Sequence, residues 1–182
     1  MTEKKATVLL SGGIDSVSCA HLLKKKGFSV SAVFVDYGQA SLHQECIAVE
    51  KIKDELEIEV KYIVTTAPKM DDHGEIIGRN AFLIFSAIFS AEVHSGLLAI
   101  GIHSGTPYYD CSKNFITQME NIVSEYCNGR LSLIAPFVDW DKSSVYQYFR
   151  ETGIPIEMTY SCESGAFPPC KQCASCIDRS MF

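Results

Sequence analysis

The 182-residue sequence contains no run of about 18 apolar residues, so nothing in it reads as a membrane-spanning helix. It also lacks an excess of positive charge, with 16 Lys and Arg against 22 Asp and Glu and a formal net charge of −6. Without a clustered basic face, direct nucleic-acid binding, which depends on phosphate neutralisation, is not expected. The single basic run, Lys24-Lys25-Lys26, falls at the end of a helical pattern where cations suit the helix dipole, and it reads as a solvated helix end. Internal repeats and low-complexity linkers are missing. Residues 1–5, Met-Thr-Glu-Lys-Lys, lead into a strand pattern rather than a signal-peptide core, so a soluble, unprocessed, cytoplasmic protein is expected. Two common nucleotide-binding patterns are absent as well: neither Gly-x-x-x-x-Gly-Lys-Ser/Thr nor Gly-x-Gly-x-x-Gly occurs.

What is present is enough apolar residue, 47%, to bury one substantial core, which fits a single domain over residues 1–182. Short β-branched runs alternate with longer helical patterns. The runs predict strands over 6–10, 28–35, 58–65, 97–102 and 131–135. Helices are predicted over 15–26, 41–56, 79–95, 111–128 and 141–152, the third apolar enough to be buried on more than one side. The tail from 155 has little regular pattern and is read as part of the same domain. Such alternation predicts an α/β fold with a doubly wound, mostly parallel five-stranded sheet, whose ligands bind beyond the carboxyl ends of the strands.

At the first of those ends stands Ser11-Gly12-Gly13-Ile14-Asp15-Ser16. A strand that ends in two glycines and restarts as a helix exposes backbone N–H groups at the positive end of the helix dipole, which suits a phosphate. An uneventful serine-glycine helix start, with Asp15 near the cap, is the competing reading. Ser-Gly-Gly-x-Asp-Ser resembles the PP-loop of ATP pyrophosphatases, which adenylate a substrate and release pyrophosphate. That resemblance implies that Gly12 and Gly13 admit the pyrophosphate, that Ser11 and Ser16 offer hydroxyls, and that Asp15 holds the turn or helps position Mg²⁺.

At the other end of the chain, Cys162, Cys170, Cys173 and Cys176 fall within fifteen residues. Four thiolates so spaced can surround one Zn²⁺ tetrahedrally and would leave no open coordination position, so the site is expected to be structural. An iron–sulfur cluster or two disulfides are the alternatives. Cys19, Cys46, Cys111 and Cys127 are dispersed and read as small hydrophobes. A zinc deaminase is a rival from another class, since His73-Gly74-Glu75 and Pro169-Cys170-Lys171-Gln172-Cys173 match its half-motifs, although Cys162 and Cys176 would then saturate the metal. A zinc-stabilised nucleotide-binding module without turnover is a further alternative.

Taken together, the loop and the tail make the chain resemble the QueC family of 7-cyano-7-deazaguanine synthases. The resemblance rests also on Val35-Asp36-Tyr37-Gly38-Gln39, Gly78-Arg79-Asn80 with Phe82, Gly101, Tyr109-Asp110-Cys111 with Phe115, Ala135-Pro136, Lys142, Ser161 and Arg179. It implies an ATP-dependent carbon–nitrogen ligase that adenylates 7-carboxy-7-deazaguanine, takes up ammonia to form an amide, and converts the amide to a nitrile with a second ATP. It further implies a pyrophosphate site at Ser11, Gly12, Gly13, Asp15 and Ser16, with Gly101 beside the nucleotide and Arg79 and Lys142 as additional catalytic phosphate contacts. Tyr37, Gln39, Asn80, Tyr109 and Asp110 would meet the deazaguanine, and a homodimer is implied. The chain departs from the family where Ala40 and Ser41 replace an Arg-His pair and where Ser112 replaces an Arg. With two cations gone from the acid-binding half, transfer to a different amine, such as one on a protein, is the alternative outcome.

Overall fold

The computed structural model describes residues 4–65 and 74–181. Five strands, β1 (Lys5–Leu9), β2 (Ser29–Asp36), β3 (Glu59–Val64), β4 (Gly96–Ile100) and β5 (Leu131–Ile134), form one sheet in the order β3-β2-β1-β4-β5. Every pairing is parallel, with Val8 of the central strand flanked by Ala32 on one side and Ala99 on the other. Helices α1 (Ile14–Lys25), α2 (Leu42–Leu56), α3 (Arg79–Phe89), α4 (Lys113–Tyr126), α5 (Lys142–Glu151) and α6 (Ala174–Ser180) complete the described chain.

The strand residues sort by the two-residue period of a pleated sheet. Ala6, Val8 and Leu10 face a cluster with Val17, Ala20 and Leu23 of α1, Val49 and Ile52 of α2, and Val145 and Phe149 of α5. Leu9, Val33, Val35, Leu98 and Ile100 face the opposite cluster, with Ile84 and Ala87 of α3 and Phe115, Met119 and Val123 of α4. The sheet is therefore covered on both faces, as the near-continuous apolar strands require. On edge strand β3, Glu59, Lys61 and Tyr62 are exposed, and charge there discourages edge-to-edge pairing.

Four expectations need correction. The third helix stops at Phe89 rather than 95, because Glu92 turns to φ +59° and Val93 folds its amide back to the Ala87 carbonyl. It also buries one side only: Ile84, Ala87 and Ile88 are buried, whereas Phe82 and Phe89 are 42% and 86% exposed. The fourth helix starts late, after a 3₁₀ turn over Tyr109–Cys111, because the Ser112 hydroxyl accepts from the Phe115 amide and caps the helix at Lys113. The tail, expected to be irregular, contains α6. Among the described residues no helix is long and apolar enough to cross a membrane.

Leu98, fully buried in β4, tests this packing. Leu98→Ala should cost about 2–5 kcal/mol through lost transfer energy and the cavity left behind. The expected outcome is a thermal midpoint lowered by on the order of 10 °C in circular dichroism; an unchanged midpoint would contradict the assigned core.

Candidate functional site

In this strand order the chain reverses direction across the sheet between β1 and β4: α1 leaves β1 on one face, and α4 leaves β4 on the other. A crevice opens at such a reversal, beyond the carboxyl ends of the strands. Here it is a cavity of about 300 Å³, with Ser11, Gly13, Asp15 and Ser16 at one end and an apolar slot of Val33, Val35, Ile76, Leu83 and Ile100 at the other. The glycines are required by close approach. Gly12 sits at φ +78°, and a side chain on it would press within 2.7 Å of the Ala48 Cβ of α2. Gly101 passes so close to α1 that a Cβ would lie 2.7 Å from the Asp15 carbonyl oxygen.

Gly13 is the N-cap of α1 and no side chain caps the helix, which leaves first-turn amides for a ligand anion. Ser16 Oγ donates to the Gly13 carbonyl at 3.0 Å and accepts from the Ser11 amide at 3.2 Å, bracing the loop. Asp15 holds Lys142 of α5 through both carboxylate oxygens, at 2.9 and 2.8 Å. Nearby, His103 Nδ1 accepts from the Gly105 amide at 3.0 Å, which directs its Nε2 toward Asp15, 3.9 Å away. Burial holds the His103 imidazole below its usual pKa, with the Asp15 charge opposing, so it sits neutral.

At the end of β2 a second polar group lines the same cavity. Gln39 Oε1 accepts from the Tyr37 amide at 2.9 Å, and its Nε2 donates to the Val35 carbonyl at 3.2 Å and to Glu45 Oε2 at 2.9 Å. Ser41 Oγ donates to Glu45 Oε1 at 2.6 Å. Burial raises the Glu45 carboxyl, against the pull of these two hydrogen bonds and of Arg79. Arg79 and Asn80, at the start of α3, complete this wall.

Of the residues expected to meet a base, Tyr37, Gln39 and Asn80 line the cavity, but Tyr109 and Asp110 do not. Asp110 Oδ2 accepts from the Asn80 amide at 3.1 Å, neutralising the first turn of α3 from behind, and the Asn80 amide group donates back to the Asp110 carbonyl at 2.9 Å. The Tyr109 hydroxyl donates to Gln118 on the outer surface. Sequence reasoning missed His103, Glu45 and the wall formed by Tyr160, Ser161, Glu163 and Ser175. The Ser41-x-x-x-Glu45 spacing across the start of a helix was the available signal for one of them.

The four tail cysteines do converge, with all sulfurs within 4.8 Å of one another. Tetrahedral bonds of about 2.3 Å place thiolates about 3.8 Å apart, so the set fits one metal ion. Burial alone would raise the Cys162 thiol, but hydrogen bonds from the Cys170 amide and the Ser164 hydroxyl bring it down to about 5. The Gln172 and Cys173 amides lower Cys170 in the same way. Such thiolates are ready to ligate. His73 of the deaminase half-motif lies outside the described residues, and four convergent sulfurs leave no metal position for water.

The cluster is fastened to the cavity. The Tyr160 amide donates to the Gly12 carbonyl at 3.0 Å, and Gly165 packs so closely on the Ala40 carbonyl that any side chain would collide with it. Arg179 of α6 donates to the Thr159 and Ser161 hydroxyls and the Ile156 and Thr159 carbonyls, a structural role with no ligand in reach of its fork. Glu163 accepts from the amide and hydroxyl of Ser175 at 3.1 and 2.7 Å.

An uncapped helix start after two glycines, at the strand-order reversal of a parallel sheet, defines a PP-loop α/β protein with a four-cysteine metal site. Solved structures share the fold: a U34-tRNA thiolase NcsA from Methanococcus maripaludis with its [4Fe-4S] cluster superposes with TM-score 0.61 at 21% identity, over 100% of this chain and 64% of that one. A predicted subunit of tRNA methyltransferase from Methanocaldococcus jannaschii gives 0.52 at 18% identity, over 81% and 76%. The profile of the family described as queuosine biosynthesis protein QueC matches residues 5–74 and 71–181. The chain belongs to that family. It is similar to a 7-cyano-7-deazaguanine synthase of Aquifex aeolicus, 28% identical over 94% of this chain and 93% of the relative. A synthase of the same name from a Synechococcus species is 31% identical over 97% and 91%.

Two outcomes follow from the geometry. Gly101→Ala must push β4 and α1 apart, so it should lower stability by about 1–3 kcal/mol and weaken nucleotide binding, measured by thermal unfolding and calorimetric titration. Metal analysis should find one zinc per chain, and Cys173→Ala should lose the metal and lower the thermal midpoint; a metal-free protein of equal stability would refute the clasp.

Proposed function

We propose that the protein is an ATP-dependent carbon–nitrogen ligase that adenylates a carboxylate, 7-carboxy-7-deazaguanine by preference, and carries it to the amide and the nitrile, 7-cyano-7-deazaguanine. The observation that carries this reading is the Asp15–Lys142 pair in the crevice beside the Ser11–Ser16 loop, in a chain whose full length follows the QueC family. Relatives spanning nearly the whole chain bear the synthase name.

The chemistry follows from the barrier. A carboxylate is a poor electrophile, and its oxygen attacks the α-phosphorus of ATP so that the bond to the departing pyrophosphate breaks and an acyl-adenylate forms. Charge on the leaving diphosphate then has to be held. The first-turn amides of α1, the hydroxyls of Ser11 and Ser16, and Lys142, which would exchange Asp15 for a phosphate oxygen, are placed for it. The carboxylate and hydroxyl oxygens of Asp15 and Ser16 suit Mg²⁺, which supplies further charge stabilisation there. The apolar slot between β2 and α3 takes a planar base, and Arg79 is the cavity cation left for the acid. An amine then displaces AMP from the carbonyl carbon, and a second adenylation of the amide oxygen lets AMP depart to give the nitrile. The tail metal, read as zinc, acts through position alone, holding Tyr160 to Glu163 against the loop.

A second reading, transfer of the activated acid to a larger amine such as one on a protein, is favoured by the small, uncharged Ala40 and Ser41 beside the cavity. The homodimer implied by the family resemblance belongs to the same proposal, and α3 and α4 carry exposed Phe82, Phe89, Ile122 and Tyr126 that a second copy would cover.

Incubation with ATP, Mg²⁺ and 7-carboxy-7-deazaguanine should release AMP and pyrophosphate, and mass spectrometry of the products distinguishes nitrile, amide and conjugate. Acid returned unchanged under all conditions would defeat the reading. Asp15→Ala and Lys142→Met should each lower AMP formation by on the order of 10²–10³-fold while leaving the thermal midpoint near that of the parent.

A further inference from the structure

Among the described residues three carboxylates line the cavity: Asp15, Glu45 and Glu163. Asp15 is neutralised by Lys142, and Glu163 is occupied by the amide and hydroxyl of Ser175. Glu45 differs. Among the described residues it makes no ion pair, and its partners are the neutral donors Ser41 Oγ at 2.6 Å and Gln39 Nε2 at 2.9 Å. Each of its oxygens accepts one of these bonds and keeps a second lone pair. The first turn of α2 carries it, directly beside the Gly12 turn, whose ideal Cβ would come within 3.3 Å of the Glu45 carbonyl.

Glu45 is half-buried in the cavity wall with no cation in contact, and two donors that hold its two oxygens fix its direction. We infer that Glu45 is the proton acceptor for the amine nucleophile, and that its carboxylate marks the amine subsite of the cavity. This rests on the ligase reading above. The acyl-adenylate carbon needs a neutral amine, whereas ammonium and alkylammonium are the forms that predominate near neutral pH. Glu45 takes one proton from the ammonium nitrogen; the freed nitrogen pair forms the C–N bond; the bond from carbon to the AMP oxygen breaks with its electron pair leaving on AMP. The second nitrogen proton passes to the departing AMP phosphate as the tetrahedral adduct collapses, giving a neutral amide.

Charge placement agrees with this assignment. Among the described residues the cavity cations are Arg79 and Lys142, and Lys142 is paired with Asp15 at the loop. Ala40 and Ser41 add none beside Glu45. An approaching ammonium therefore meets one negative group softened by Arg79 rather than a wall of cations. The ionisable groups that act on Glu45 or feel it are Arg79, Tyr37 and Cys46, and desolvation raises its carboxyl above the usual carboxylate value.

The test uses the full chain with ATP, Mg²⁺, 7-carboxy-7-deazaguanine and one of two amines, ammonium or hydroxylamine, the latter already unprotonated at neutral pH. With Glu45→Gln, amide formation from ammonium should fall by on the order of 10²–10⁴-fold, the usual worth of a positioned proton acceptor. Acid-dependent pyrophosphate–ATP exchange should fall far less, and hydroxylamine should restore most of the lost transfer. Glu45→Asp should recover part of the ammonium reaction. If the Gln variant does not fold, Glu45→Asp decides: drawing the carboxylate back by one methylene should lower ammonium transfer below the parental rate and leave hydroxylamine transfer near it. Amidation at the parental rate in the variant overturns the assignment, as does an equal loss of exchange and amidation or an equal deficit with both amines. Absence of exchange in the parent is a different result, since it removes the ligase reading itself.

Discussion

The turn at Gly12 is where the parts of this molecule meet. Its missing side chain lets the β1–α1 loop rest on Ala48 of α2, and its carbonyl accepts the Tyr160 amide from the cysteine-bearing tail. Three residues further on, the Asp15 backbone lies under Gly101 of the neighbouring strand end. A ligand anion can use the α1 amides only while this turn keeps its shape, and the shape is held from three directions by the sheet, α2 and the tail. Closely packed interiors pass such displacements on rather than absorbing them. The four-cysteine cluster at the tail is therefore mechanically tied to the loop at the start of α1.

Electrostatics divides the cavity along its length. At one end Asp15 and Lys142 neutralise each other, and a pair of this kind can separate when a polyanion and its cation arrive, each partner finding an opposite charge. On the β2 and α2 side of the loop, Glu45 is offset by Arg79 without contact and by neutral donors. His103, its pKa lowered by burial and its ring turned by the Gly105 amide, lies 3.9 Å from Asp15. One wall of the cavity thus holds a neutralised ion pair and another a carboxylate with no cation in contact.

The fold was legible because its signals are local and repeated. Five apolar runs separated by amphipathic stretches leave little choice but a parallel sheet covered on both faces, and the Ser-Gly-Gly loop marks the reversal point by itself. The cysteine spacing was equally readable, since ligand count and distance along the chain carry the whole meaning. What escaped were features set by long-range approach. Glu45 looks like any acid near a helix start until Gln39 and Ser41 are seen to close on it. Asp110 reads as a ligand group in one dimension, yet in three it faces the Asn80 amide behind the cavity. The end of α3 was misplaced because an apolar stretch continues past Phe89, and only the backbone reversal at Glu92 reveals the stop.

The departures from the family pattern at positions 40, 41 and 112 become intelligible in the same terms. Ser112 caps α4 through the Phe115 amide, Ser41 fixes Glu45, and Ala40 lies against the tail at Gly165. Each uncharged residue has a local task that a long cation would perform poorly. An Arg in place of Ser41 would remove a 2.6 Å hydrogen bond and bring a full positive charge to the half-buried carboxylate of Glu45, making it half of an ion pair. With uncharged residues at 40 and 41, Glu45 has only neutral donors in contact and keeps its charge for a cationic group that enters the cavity.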